Sequence, residues 1–446
     1  MTEVFFSFDT EDYVNPVGAD GVLRSAELLR SAGIQGCFCV VARTAEAFVK
    51  WGRTDVIEAL RHHEISTHSY AHSYHPTINE YTDIADFEEA MTRFLTLEEK
   101  AVQILREIFD IQQVPAACPP GDSVSYVAHY GYAKMGIPVY TGDLFVDPVR
   151  GRHLVNCNIT SLGYHTCLDD FLAFSTKEEI DAHLEEIAST KVLHVFYHHP
   201  QRAMLAEFWD MVNFNGENTP EEAWKLCRQL PCDHTERFYE NFAYMVEKIK
   251  ADPRFHVTTY REFAENHCGQ KREILPEQIP ALKQQLTERF FPVTVPDSYC
   301  IADMLLACRD FLMGEKIHEC GQVYGFMDAP ESTGQACLVT AEQMRVSAAS
   351  IGDGFLPAAI SVGGYEVNPA QWLFGAMEVI SGKTEVELLP VNWQIDMDQF
   401  PATKDQDLNG SWVHSKEFRD EYLSHRFRLQ SWTFRLPKDT PRFIFE

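Results

Sequence analysis

The sequence predicts an α/β fold: a parallel (β/α) barrel, seven-stranded and distorted, followed by a smaller α+β domain. Three observations carry the prediction. Short apolar runs alternate with segments of helical period over residues 3–265, the pattern of a parallel sheet with crossover helices. Polar, potentially reactive residues stand directly after several of those runs, where a parallel barrel builds its chemistry. The alternation stops at "NHCGQKREILPEQIP" (266–280), which reads as a linker. A chain of 446 residues exceeds one ordinary core, so the expected division is a barrel over 1–268 and an accessory domain over 269–446.

"EVFFSF" (3–8) opens the series as a short strand ending at Asp9. Residues 20–32 have helical period, with Gly33 as the C-terminal stop. Strands at 36–42 and 64–67 bracket a helix over 54–63, and a long amphipathic helix covers 83–109. Strands at 114–118 and 137–140 bracket a helix near 123–135; a strand near 153–160 and a helix over 176–189 follow. "VLHVFY" (192–197), a helix near 234–250 and "FHVTTY" (255–260) close the barrel. In the accessory domain, "CIADMLLACRDFLMG" (300–314) and "NPAQWLFGAMEVISG" (368–382) align without gaps at an offset of 68 residues, in the same helical phase. Each follows an extended Pro-led segment, so 292–314 and 357–382 read as an internal repeat.

The net charge of −28, without a long Lys/Arg run, repels phosphate backbones and argues against a nucleic-acid partner. No apolar run approaches membrane-spanning length, and the start "MTEVFFSFDTEDY" has no features of a secretory signal, so a cytoplasmic protein without a membrane partner is expected. The twelve cysteines are scattered with no CxxC pair, which reads as buried reduced thiols.

The stretch "EISTHSYAHSYH" (64–75) places His68 and His72 four apart. Spacing alone is weak evidence, because His194 and His198 repeat it on a strand, where alternate residues share a face. Position gives the pair its weight. His68 follows the strand 64–67, Asp9, Glu11 and Asp12 follow the first strand, Cys118 ends the fourth, and His199 follows 192–197. All of these points converge on one rim of a parallel barrel. A helical turn over 68–72 would bring both imidazoles to one face. With one carboxylate they would form a two-His-one-carboxylate set suited to Zn²⁺, or to Fe²⁺, Co²⁺ or Ni²⁺, with positions left open. "SFDTED" (7–12) supplies carboxylates for the ion and for a base, and "HHP" (198–200) an imidazole acid.

In that order the motifs resemble the polysaccharide deacetylases with the NodB homology domain, a family whose wider membership includes metal-independent allantoinase-type hydrolases. The resemblance spans residues 3–265: "FSFDTEDY" (6–13) is similar to the first motif, "THSYAH" (67–72) to the metal motif, "FYHHP" (196–200) to the late strand, and "HVTTYREFAE" (256–265) to the closing strand and helix. It implies a deacetylase-like barrel with Asp9 as general base and His199 as general acid. The implied metal ligands are Asp12, His68 and His72, with Glu11 as the alternative carboxylate. The implied activity is metal-dependent hydrolysis of a C–N amide bond, such as N-deacetylation of a saccharide or a related soluble amide. The family's Arg-x-Pro motif departs here: "CPPGDS" (118–123) has Cys118 where the arginine belongs. Arg202 or Arg152 would then fill that role, or Cys118 would stand as an inert rim residue or a further ligand. Two other readings stay open: a barrel that binds saccharide or a partner without turnover, and hydrolysis without metal.

Several residues have a plainer reading beside the functional one. Tyr13 and Tyr70 line a substrate groove or pack; Ser69 and Ser73 support the histidines or cap a helix. His75 is a third ring at the site or a solvated residue, and His62 and His63 end a helix. "HTCLDDF" (165–171) offers two carboxylates from a loop over the rim and "FWDMVNFNGENTP" (208–220) a sugar-binding texture, but both read better as solvated loops. Trp372, Trp393, Trp412 and Trp432 form a ligand platform or, by preference, core or contacts within a homo-oligomer.

Overall fold

The first strand, β1 (Thr2–Thr10), is buried along nearly its whole length because both faces of its sheet are covered. Phe6 and Phe8 point outward into a cluster with Ala19, Val22 and Leu29 of helix α1 (Gly18–Ala32), while Phe5 points inward with Val195, Cys39 and Tyr260. Asp9 keeps the inward parity of Phe5 and Ser7, which brings it to the barrel mouth rather than under the helices.

The structure is a computed structural model and describes residues 1–122, 125–142, 146–147, 152–268, 271–294, 296–331, 334–395, 413–419 and 421–436. The chain divides into two units. Met1–Arg152, Thr160–Cys268 and Gln406–Tyr422 form the first, and His153–Ile159, Gly269–Asp405 and Leu423–Glu446 the second. A single cut after residue 268 does not provide for the two segments that cross over, 153–159 and 406–422.

The first unit is mixed α/β around a curled, parallel half-barrel sheet. Its strands after β1 are β2 (Cys37–Val40), β3 (Glu64–Thr67), β4 (Ala116–Ala117), β5 (Val139–Thr141), β6 (Ile159–Leu162), β7 (Thr166–Cys167), β8 (Leu193–His198) and β9 (Phe255–Val257). They run in the order β6-β5-β4-β3-β2-β1-β8-β7, with β9 also on β1. Among the described residues these nine parallel strands exceed the seven expected. The two-residue β7 carries no alternation to detect, and the strand expected near 153–160 is broken by a turn at Cys157 (φ 50°) and Asn158 (φ 61°).

Register places the chemistry. Thr10, Val40, Thr67 and Ala117 are successive partners across β1 to β4, and Phe8 is opposite His198. Glu11, His68 and Cys118 therefore leave the sheet at one level, and His199 stands beside Asp9. Helix ends follow local chemistry: Gly33, at φ 71°, closes α1 by donating to the Arg30 carbonyl while Ile34 donates to Leu29. The helix expected from 83 begins at Phe87, where the Asp86 carboxylate accepts from the Glu89 amide.

In the second unit, the helices Ile301–Leu312 and Pro369–Ile380 carry the aligned segments. Both open on capping boxes, Cys300/Asp303 and Asn368/Gln371, and both are followed by a left-handed glycine, Gly314 (φ 103°) and Gly382 (φ 104°). The segments before them differ: a lone bridge Val293–Tyr299 in one, a hairpin of Ile360–Val362 and Tyr365–Val367 in the other. Trp372, Trp393 and Trp432 are buried; Trp412 lies outside the described residues. No helix among the described residues is long and apolar enough to cross a membrane.

Candidate active site

Beyond β3 the chain does not turn helically. Ser69 (φ 68°) and His72 (φ 55°) both adopt the left-handed region, and the Ser69 hydroxyl accepts from the His72 amide at 3.0 Å. Such non-glycine residues cost about 1–2 kcal/mol each, a strain the surrounding structure must hold. The turn brings the His68 and His72 rings to 4.9 Å between centroids.

The carboxylate that meets them is Glu11, and the expectation that Asp12 supplies it is corrected. Glu11 Oε2 lies 2.9 Å from His72 Nε2 and 3.6 Å from His68 Nε2. Glu11 Oε1 accepts from Gln201 Nε2 at 2.8 Å and from the Trp209 indole at 3.3 Å, which aims the other oxygen at the imidazoles. Asp12 instead folds back on its own chain: Oδ1 accepts from the amides of Val14 and Asn15, and Oδ2 from the Asn15 side chain. That turn leads into α1 and leaves Asp12 no reach towards the rings. Burial pushes the Asp12 carboxyl up to about 7.

Glu11, His68 and His72 can hold a metal ion. Their ligand atoms lie within 4.8 Å of one another and all three residues are buried. His68 Nδ1 donates to the Cys118 carbonyl at 2.7 Å, leaving Nε2 as a buried lone pair with no hydrogen-bond partner among the described residues. His72 Nδ1 lies 3.0 Å from the Ser73 hydroxyl, which donates to Asp210 Oδ2 at 2.8 Å, so its Nε2 also faces inward. With the His72 ring deprotonated, the two imidazole nitrogens and one carboxylate oxygen are donors that suit a borderline divalent ion. Burial works against a charge on His72, but Glu11 and Asp210 outweigh it and lift the ring to about 10. Burial likewise raises Glu11, and the His72 charge outweighs it, holding that carboxyl well below its usual range.

Across the mouth stand Asp9 and His199, with Asp9 Oδ2 3.7 Å from His199 Nε2. His199 is oriented by Asp169, at the start of the helix Leu168–Phe174: Asp169 Oδ2 lies 2.8 Å from His199 Nδ1, and Oδ1 accepts from the His199 amide. Burial lowers the His199 pKa, but the Asp169 charge and hydrogen bond outweigh it, so the ring titrates well above its ordinary value. Asp9 Oδ1 accepts from the Tyr164 hydroxyl at 2.8 Å. Asp9, Tyr164 and His199 line one cavity of about 380 Å³ with Glu11, His68 and His72, walled also by Pro119, Gly121, Tyr197, Phe208 and Met211.

The other expected site residues fall elsewhere. The Cys118 sulfur is joined to Cys39 in a disulfide facing the inner core, so it is neither a reduced thiol nor a ligand, and only its carbonyl serves the site. Arg202 donates to the Leu205 carbonyl and lies 4.8 Å over the Phe208 ring, without a contact to Asp9. The Arg152 side chain is outside what the structure describes. Tyr13 packs, its ring 4.4 Å from Trp209 and its hydroxyl on the Ala71 carbonyl. His75 pairs with Glu80, and Tyr70 with Lys100. His63 is buried, bridging the Gly36 amide and the Ala26 carbonyl.

Sequence reasoning did not single out Tyr164, Gln201 or Asp210, and it raised Asp169 only within a segment weighed as a loop over the rim and set aside. Asp169 and Asp210 lie in the two segments expected to be solvated loops, yet both are buried. The signal for Asp169 was present, since it follows β7 as His199 follows β8, but β7 is too short to be seen.

No protein-family model and no curated protein sequence matches the chain. Among solved structures, its fold is similar to that of the family 4 carbohydrate esterase from Streptomyces lividans in complex with acetate, at 12% identity and a TM-score of 0.32, over 58% of this chain and 92% of that one. It is also similar to the Puue allantoinase, at 12% identity and a TM-score of 0.39, over 60% of this chain and 92% of that one. The 4-alpha-glucanotransferase from Thermococcus litoralis matches at 11% identity and a TM-score of 0.42, over 65% of this chain and 46% of that one.

Proposed function

We propose that the protein is a metal-dependent hydrolase that cleaves a C–N amide bond, with N-deacetylation of a saccharide or a related soluble amide as its reaction. One observation carries the reading: Glu11, His68 and His72 share a cavity with the Asp9–His199 pair, so an ion site and a base–acid pair face the same space. A divalent ion held by those three residues, Zn²⁺ by preference, would polarise the acyl carbonyl and acidify water. Asp9 Oδ2 takes the proton from the attacking water. His199, kept protonated by Asp169, gives a proton from Nε2 to the departing nitrogen. Tyr197, Phe208 and Met211 form an apolar wall against which a sugar face or an acyl group packs.

The test is a screen for acetate or amine release from acetylated sugars and cyclic amides after zinc reconstitution. Wild type should turn over one member and Asp9→Asn should not. Equal release by both would sink the proposal. A second reading, hydrolysis without metal, is favoured by the direct His72–Glu11 pair at 2.9 Å, in which imidazolium and carboxylate satisfy each other. Activity that survives exhaustive chelation would select it.

A further inference from the structure

We propose that Tyr164 is the positioning residue for Asp9, holding Oδ1 so that Oδ2 alone is presented to the reacting water; this rests on the hydrolase reading above. The Tyr164 hydroxyl donates to Asp9 Oδ1 at 2.8 Å, and among the described residues no other side chain donates to that carboxylate. His199 Nε2, at 3.7 Å from Oδ2, is too distant for a hydrogen bond, so Oδ2 stays open to the cavity.

The need is physical. The torsion that turns a carboxylate about its last bond is broad and two-fold, so an unheld Asp9 would present either oxygen, or neither, to the water. Tyr164 is itself fixed. Its ring stacks on Tyr197 at 4.6 Å with an interplanar angle of 13°, and its hydroxyl lies 3.4 Å from Thr141 Oγ1 at the end of β5. Burial and the nearby Asp9 push the phenol well above its ordinary value, so it remains a donor. In the step, an O–H bond of water breaks and Oδ2–H forms while the water oxygen bonds to the acyl carbon and the carbonyl π pair moves onto the carbonyl oxygen. Tyr164 keeps its proton, and Oδ1 accepts from it before and after. A neutral donor also satisfies the buried oxygen without placing a second cation beside the base.

Tyr164→Phe keeps the ring stack and removes only the hydroxyl. With the zinc-reconstituted full chain and the best substrate of the panel, kcat should fall about 10- to 100-fold. KM, zinc content and thermal midpoint should stay at wild-type values, a split that a merely structural role would not produce. Thr141→Val, which loosens the hydroxyl without deleting it, should lower kcat about two- to threefold, again at constant KM. An unchanged kcat in Tyr164→Phe overturns the inference, as does a loss accounted for by missing zinc or by unfolding. Failure of wild type itself to turn over any substrate would instead remove the hydrolase reading, and this inference with it.

Discussion

His198 and His199 are neighbours that share one carboxylate, and they titrate in opposite directions. Asp169 lies 2.6 Å from His198 Nδ1 and 2.8 Å from His199 Nδ1. His198 belongs to the barrel wall, fully buried and stacked on Phe238 at 4.6 Å; burial dominates there and its pKa falls despite Asp169. His199 belongs to the mouth, where it also feels Glu11, and its pKa rises. The contrast extends to other rings. His63 and His165, in the wall, are pushed by burial down to about 4, whereas His72, between Glu11 and Asp210 at the mouth, is lifted to about 10. Burial alone makes a neutral structural imidazole. Burial beside carboxylates makes one that can carry charge or meet a cation.

The strongest break in this comparison would come from the two pairs with identical spacing. His68→Ala/His72→Ala should lower bound zinc from about one ion per chain to below about 0.1 and reduce amide cleavage about 1000-fold. His194→Ala should retain the metal, since His194 contacts Thr166 and its neighbouring rings in the wall. Equal zinc in the two proteins, by elemental analysis, would erase the distinction. Asp169→Asn should lower kcat about 100-fold with zinc unchanged, because His199 loses the charge that keeps it protonated. Single-turnover rates beside metal content decide this, and an unchanged rate would leave Asp169 a purely structural group.

The wall makes its own prediction about pH. Unfolded, the His63 imidazole titrates near 6.5; folded, near 4. The unfolded chain therefore binds more protons between those values, and stability falls as pH drops through that window. Urea unfolding should show His63 contributing a loss of about 2 kcal/mol between pH 7 and pH 5. His63→Gln should flatten the slope by that amount, and an identical slope in both proteins would contradict the burial. The smallest effect belongs to the bridge behind His72. Ser73→Ala should weaken zinc binding about tenfold by chelator competition, because His72 Nδ1 loses the Ser73 hydroxyl and keeps only the longer 3.4 Å approach to Asp210.

Residue order and strand ends were enough to locate Asp9, His68, His72 and His199, and the structure brings these four into one cavity. The choice between Glu11 and Asp12 was not legible. It depends on Gln201 and Trp209, 190 and 198 residues away, which anchor Glu11, and on a three-residue turn that captures Asp12. The form of the turn at 68–72 was not legible either, because the i, i+4 spacing satisfies a helix and a left-handed loop alike. Asp210 was hidden because an amide- and aromatic-rich segment looks the same in solvent as it does packed over a rim.

The alternation of apolar runs, the break near 266–280 and the reactive residues at strand ends are local properties, written in side-chain order, and the sequence by itself determined them. Which carboxylate faces the imidazoles, which cysteines join, and which donor holds Asp9 were decided only when distant strands came into register. Those outcomes turn on ångström differences between groups that the chain separates by up to about two hundred residues, and no local pattern encodes such distances.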